Sequence, residues 1–107
     1  MTLRCDTAFC RLAGIDLPIV QAPIGGITTP ALAAAVSEAG GLGMLSITWR
    51  DPNSLGALLQ DTRARTAKPF AVNLVLEWDP AERLAIALEE GVPIVSFFWG
   101  DPAPWVD

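Results

Sequence analysis

Three uncharged polar side chains interrupt otherwise apolar runs: Gln21 in Pro18 to Ala22, Asn73 in Phe70 to Leu76, and Ser96 in Ile94 to Trp99. A buried amide or hydroxyl must find hydrogen-bond partners. For Asn73 the partner is either a network inside the core or a bound ligand, and the three groups converge on one site if their strands are neighbours. The run holding Gln21 breaks at once into Ala22-Pro23-Ile24-Gly25-Gly26, where small side chains leave main chain open to a flat ring. The same residues also read as a tight strand-to-helix turn with no ligand. They match neither the dinucleotide pattern GxGxxG nor a P-loop, which requires a Lys after its second Gly. Gly40-Gly41-x-Gly43 precedes a strand instead of opening a helix, so it reads as a helix stop with close packing.

Other chemistry is thin. The chain has no histidine, and its one lysine, Lys68, precedes the 70–76 strand, at the stability-related end of a parallel sheet. Arg50 reads as an anion ligand or as a solvated neighbour of the helix cap Asp51. Trp49, Trp78, Trp99 and Trp105 follow strand ends or lie in the tail, where rings line a pocket or form surface that other chain covers. Cys5 and Cys10 have no second pair, which supports neither a zinc site nor a disulfide framework and points to two reduced thiols.

With 107 residues, 51% hydrophobic and 18% charged, the chain has ample material for a core. Its net charge of −5 and six scattered arginines give no basic stripe, so nucleic acid is not an expected partner. No apolar run approaches the roughly 20 residues that span a bilayer, and no signal-peptide core is present. The expected location is the cytoplasm.

The elements that must position these residues repeat. Prolines 30, 52, 80 and 102 each follow Thr or Asp, in the cap-then-proline order that opens a helix. Each also follows an apolar run: Pro18 to Ala22, Leu42 to Ile47, Phe70 to Leu76 and Ile94 to Trp99. Glu82 lies three residues after Asp79, as in a capping box. Leu32, Ala35, Val36 and Ala39 share one helix face. Leu55, Leu58, Leu59 and Thr62, then Ala81, Leu84, Ala85 and Leu88, give the next two helices their inward stripes. Residues 1–18 read as a loop or short hairpin arm. Doubly apolar strands alternating with amphipathic helices specify a parallel sheet covered by helices, either doubly wound or part of a (β/α)8 barrel. A complete barrel takes roughly 250 residues. The expectation is therefore an α/β fold of TIM-barrel type with about the first four β/α units present. A closed pair of copies, associating through the open sheet edges, and a small four-stranded open sheet are the alternatives.

Leu17-Pro18-Ile19-Val20-Gln21-Ala22-Pro23-Ile24-Gly25-Gly26, the run from Thr29-Pro30 through Gly40-Gly41-Leu42-Gly43, Lys68-Pro69-Phe70-x-Val72-Asn73-Leu74 and Gly91-Val92-Pro93-Ile94-Val95-Ser96-Phe97 together resemble the nitronate monooxygenases, formerly called 2-nitropropane dioxygenases. The resemblance implies an FMN-binding (β/α)8 barrel, with residues 1–107 its N-terminal portion, oxidising alkyl nitronates with molecular oxygen. It implies that backbone of Ala22, Pro23 and Ile24 lies against the flavin ring and that Asn73 contacts it. Ile24 stands where the family usually has Met. The family's catalytic histidine and its glycine-rich phosphate loops come from the second half of the barrel and have no counterpart here. No catalytic residue and no metal ligand is therefore assigned, and the chain is expected to be inactive alone. The related FMN-dependent enoyl reductases share a similar first loop, and a non-catalytic, self-associating remnant is the reading from another class.

Overall fold

A computed structural model describes residues 5–106. In chain order it contains α1 (Ala8–Ala13), α2 (Pro30–Glu38), β1 (Gly43–Ser46), α3 (Pro52–Arg65), β2 (Phe70–Val75), α4 (Ala81–Glu89) and β3 (Ile94–Phe98), then a 3₁₀ turn at Ala103–Trp105. The strands form one parallel sheet in the order β1-β2-β3. Each crossover moves one strand further in the same direction without reversing. Right-handed crossovers of that kind place every helix on one face of the sheet, so the open face is that of a barrel interior and the fold is a partial barrel.

The segment expected to form a strand at Pro18 to Ala22 is instead a single parallel bridge, Val20 to Leu42. Leu42 N–H donates to the Ile19 carbonyl at 2.9 Å, and Gln21 N–H donates to the Leu42 carbonyl at 3.0 Å. Pro18 and Pro23 bracket this pairing, and neither has an N–H to extend the ladder. The N-terminal arm is also helical: Thr7 caps α1 by accepting from Cys10 N–H at 3.1 Å, and Gly14 ends it in the left-handed conformation.

The sheet buries different chemistry on its two faces. Against the helices lie Leu45, Ile47, Phe70, Val72 and Leu74, packed with Ala33, Leu55, Leu59, Leu84 and Ala87. On the opposite face Cys10, Ala13 and Ile15 of the α1 region cover Leu42, Met44, Ala71 and Ile94, near the N-terminal strand ends. α1 therefore floors the interior face. Both Cys5 and Cys10 are free thiols.

Two helix faces differ from expectation. α2 buries Ala33, Ala34 and Ser37, with Leu32 exposed, because the glycine at the start of β1 admits α2 so closely that its smallest residues must face the sheet. α4 buries Leu84 and Ala87, leaving Ala81, Ala85 and Leu88 outside. The α3 stripe is as expected, with Leu55, Leu59 and Thr62 buried. At α4, Pro80 occupies the cap position and Asp79 accepts from Ala81 N–H at 3.0 Å. The Glu82 half of a capping box is not formed among the described residues. Asp101-Pro102 opens only the single 3₁₀ turn. No helix among the described residues is long and apolar enough to cross a membrane.

Candidate functional site

Strand register assembles the polar centre. Ser46 pairs with Asn73, and Asn73 with Ser96, so three polar residues stand side by side across β1, β2 and β3. Alternation along each strand puts them on the interior face, opposite the helices. Asn73 Nδ2 donates to Ser96 Oγ at 3.0 Å and to the Ser96 carbonyl at 3.3 Å. The expected Asn73–Ser96 convergence is present. Ser46 completes the row; its signal in the sequence is the same one, a lone hydroxyl in an apolar strand.

Gln21 does not join this row. Its Oε1 accepts from Met44 N–H at 3.4 Å, a donor that the parallel ladder would otherwise direct at the Gln21 backbone carbonyl, and its Nε2 donates to Thr28 Oγ1 at 3.4 Å. Gln21 thus splices the first loop onto β1 where Pro23 prevents pairing. Thr28, 1% exposed, is the hub of that loop, its hydroxyl also accepting from Ile24 N–H at 3.1 Å. The Ile24 carbonyl accepts from Ile27 N–H and Thr28 N–H at 3.2 and 3.0 Å. Both backbone groups of Ile24 are therefore spent inside the turn, while the amides of Ala22, Gly25 and Gly26 have no partner among the described residues. This narrows what the loop can offer: free amides flank Ile24 but do not include it.

Arg50 is neither a free anion ligand nor a solvated neighbour. Its Nη2 donates to the Thr28 carbonyl at 2.8 Å, and its own carbonyl accepts from Arg83 Nε at 2.8 Å. A chain of bonds therefore runs from α4 through Arg50 to the first loop. Charge-assisted bonds of this kind contribute about 1.5–3 kcal/mol when buried, and the half-buried position of Arg50 puts it at the low end. Arg50→Ala is expected to cost about 1–2 kcal/mol and to speed amide exchange at Ile24 more than at Leu45. Equal acceleration at both amides would show that Arg50 does not clamp the loop.

The loop, the polar row and the strand ends enclose a cavity of about 490 Å³. Pro23 and Gly25 line one side, Ser46, Asn73 and Ser96 the back, Met44 and Val75 the apolar surface, and Trp49 and Phe98 the mouth. Among the described residues no charged side chain lines it. A Cβ added to Gly25 would stand 3.2 Å from Trp49 Cδ1 and 3.8 Å from Ser46 Oγ, so the missing side chain is what keeps this side of the cavity open. The arrangement suits a planar, largely apolar group with a few hydrogen-bonding edges, in the size range of small-molecule sites.

The remaining candidates fall into place around it. Lys68 lies before β2, its Nζ donating to the Glu38 carbonyl at 3.3 Å, away from the cavity. Gly40 has a left-handed φ of 106° after α2, and Gly43 meets α2 backbone, so that glycine run is a helix stop and a close packing contact. Trp49, Trp78 and Trp99 come together at the strand ends, whereas Trp105 packs against the helix-side core.

A family model described as nitronate monooxygenase matches residues 6–90. A nitronate monooxygenase of Pseudomonas aeruginosa is 46% identical over 98 residues, covering 88% of this chain and 28% of that protein. Among solved structures, FabK from Thermotoga maritima superposes with a TM-score of 0.90 at 36% identity, covering 95% of this chain and 33% of FabK. A nitroalkane oxidase from Streptomyces ansochromogenes superposes at 0.74 with 32% identity, covering 88% of this chain and 36% of the oxidase. The chain thus spans about a third of the proteins it matches.

Proposed function

Since the chain belongs to the nitronate monooxygenase family, we propose that residues 1–107 form the N-terminal portion of an FMN-binding barrel domain that oxidises alkyl nitronates with molecular oxygen. The observation that carries this reading is the uncharged cavity, with the Ser46-Asn73-Ser96 row behind it and the glycine-bearing first loop beside it. These residues fit the ring portion of FMN. Backbone of Ala22, Pro23 and Ile24 would lie against the ring, Ile24 by contact alone because its N–H and carbonyl are bonded within the turn, and Asn73 would offer a side-chain amide. Bound FMN would supply the redox chemistry by which a nitronate is oxidised and dioxygen reduced.

The chain's own residues orient and exclude water. Asn73 is held by Ser96, so its amide is fixed before any ligand arrives and little side-chain entropy remains to be lost. Ser46 and Ser96 place hydroxyls on either side of it. Trp49 and Phe98 shield the mouth. With no histidine in the chain, no residue described here is assigned a proton transfer.

The same lining predicts how a flavin binds. Among the described residues no charged side chain and no helix start lines the cavity, so beyond the free amides of the first loop the phosphate that normally dominates FMN affinity has little to grip. The 107-residue chain is expected to bind riboflavin and FMN within about twofold of each other and to release both during gel filtration. Asn73→Ala should weaken both about three- to tenfold, the equivalent of one hydrogen bond. Purification of the chain yellow, with stoichiometric FMN, would overturn this. Function is tested by grafting residues 5–106 onto the remaining length of the Pseudomonas aeruginosa relative and supplying a nitronate. Oxygen consumption supports the proposal; NAD(P)H oxidation with an enoyl thioester and no oxygen uptake with nitronate favours the enoyl reductase reading instead.

A further inference from the structure

Each of the three strands is followed by a similar short pattern: Trp49-Arg50-Asp51-Pro52, Trp78-Asp79-Pro80 and Trp99-Gly100-Asp101-Pro102. The aspartates have a local task, because each accepts a backbone N–H two residues on, at Asn53, Ala81 and Ala103. The tryptophans have no such task. They are 63%, 46% and 59% exposed, so the core does not use them. Yet the parallel sheet stacks the three units side by side and brings the rings into one row. Trp49 and Trp78 have centroids 4.7 Å apart, Trp78 and Trp99 6.3 Å, and Trp99 stacks on Phe98 at 5.4 Å and 18°.

Trp49 and Phe98 line the cavity, and Trp99 lines a separate hollow with Glu77 and Gly100, so the indole row runs outward from the cavity's edge at Trp49. The backbone also gives up something to project it. Trp99 has a φ of 54°, the sole non-glycine residue with positive φ among those described. The glycine beside it, Gly100, lies so close to Leu76 that a Cβ would stand 2.8 Å from the Leu76 Cβ. Strain of this kind persists where surrounding structure fixes it, and it concentrates at ligand sites.

Resting on the nitronate reading above, we infer that the Trp49-Trp78-Trp99 row is a specificity platform selecting substrates that carry an aryl group. The aryl group lies along the indoles, while the nitronate head enters the cavity beside Trp49 and Phe98, in front of the row that the flavin ring would contact. Indole faces bind planar apolar rings through offset or edge contacts, and a short alkyl substrate held only by its head leaves that surface wet.

The test follows the indole Nε1–H signals of the 107-residue chain by NMR during titration with the nitronate of 2-phenylnitroethane, the nitronate of nitroethane, or 2-phenylethanol. The phenyl nitronate is expected to bind about tenfold tighter than the ethyl one, shifting the Trp49, Trp78 and Trp99 signals and leaving Trp105 in place. Trp78→Ala should remove most of that preference. Trp99→Gly, which the left-handed backbone accommodates, should do the same in a folded chain and guards against a folding artefact. Equal affinity for the two nitronates overturns the platform but leaves the nitronate reading intact. Binding of 2-phenylethanol at the three indoles, with no gain from the nitronate head, upholds the platform and counts against the nitronate reading. Concentration-dependent broadening of the three signals without response to any ligand shows them covered by a second copy and overturns the platform.

Discussion

Gly43→Ala should be the most damaging single-methyl change in the molecule, destabilising it by more than about 3 kcal/mol, above the usual range for an overpacked core. An added Cβ would stand 1.9 Å from the Ala33 carbonyl oxygen and 2.6 Å from its carbon, both backbone of α2, and 2.8 Å from Ser37 Oγ. A side-chain tip can swing aside, but a helix backbone cannot. α2 would have to lift off β1, breaking the bond in which Ser37 Oγ accepts from Gly43 N–H at 3.0 Å and opening the contact that buries Ala33 and Ala34. Domains of this size have only about 5–15 kcal/mol in hand. In a chain of about 100 residues each kcal/mol moves the midpoint by about 4–8 °C. Thermal melts followed by circular dichroism should therefore show a loss of well over 10 °C, roughly in line with that conversion, and a shift of only a few degrees would refute the packing argument. Gly26→Ala is the control, because its Cβ meets nothing within 4 Å and only its φ of 78° opposes the change.

Phe70→Ala ranks next, at about 3–5 kcal/mol for emptying a fully buried aromatic site. Phe70 is 1% exposed, begins β2, and packs in the cluster between sheet and helices. The Arg63 guanidinium lies 4.9 Å from its ring centroid, a cation–π contact worth about 0.5–1 kcal/mol at an exposed position. Phe70→Leu should recover most of the loss by refilling the volume while still lacking that contact. Urea midpoints for the three proteins decide it, and an alanine variant within about 1 kcal/mol of the parent would show that the site collapses freely. Because Phe70 pairs directly with Gly43 in the sheet, combining the two substitutions should not give additive losses.

What the sequence made legible follows from what is local. The cap-then-proline pattern located the starts of α2 and α3, and of α4 to within one residue, because capping and fixed φ act within three residues. The strands at 42–47, 70–76 and 94–99 stood out as apolar runs. Helix faces were less legible, since periodicity gives the spacing of a stripe but not its phase when alanines and leucines surround the helix. α2 and α4 turned by about one residue from expectation, decided in α2 by the closeness that Gly43 permits. The run at 18–22 looked like a full strand, but its two bracketing prolines remove the donors a ladder needs, leaving one bridge. At the site, Asn73 and Ser96 were visible as polar breaks in apolar strands. Their partnership with Ser46 depended on register, and the clamp by Arg50 joins positions 22 residues apart through a backbone carbonyl that sequence does not mark.

α1 gives the site a direction. Its residues pack on the interior face at Leu42, Met44 and Ala71, so that end of the cleft has a floor, and the cleft faces the strand ends where Trp49 and Phe98 stand. If the aryl platform proposed above holds, a group that enters from this side lies against the same rings when it leaves. Rings that hold an arriving group firmly would then also slow its departure, so selectivity and speed of release would oppose each other at this end of the sheet.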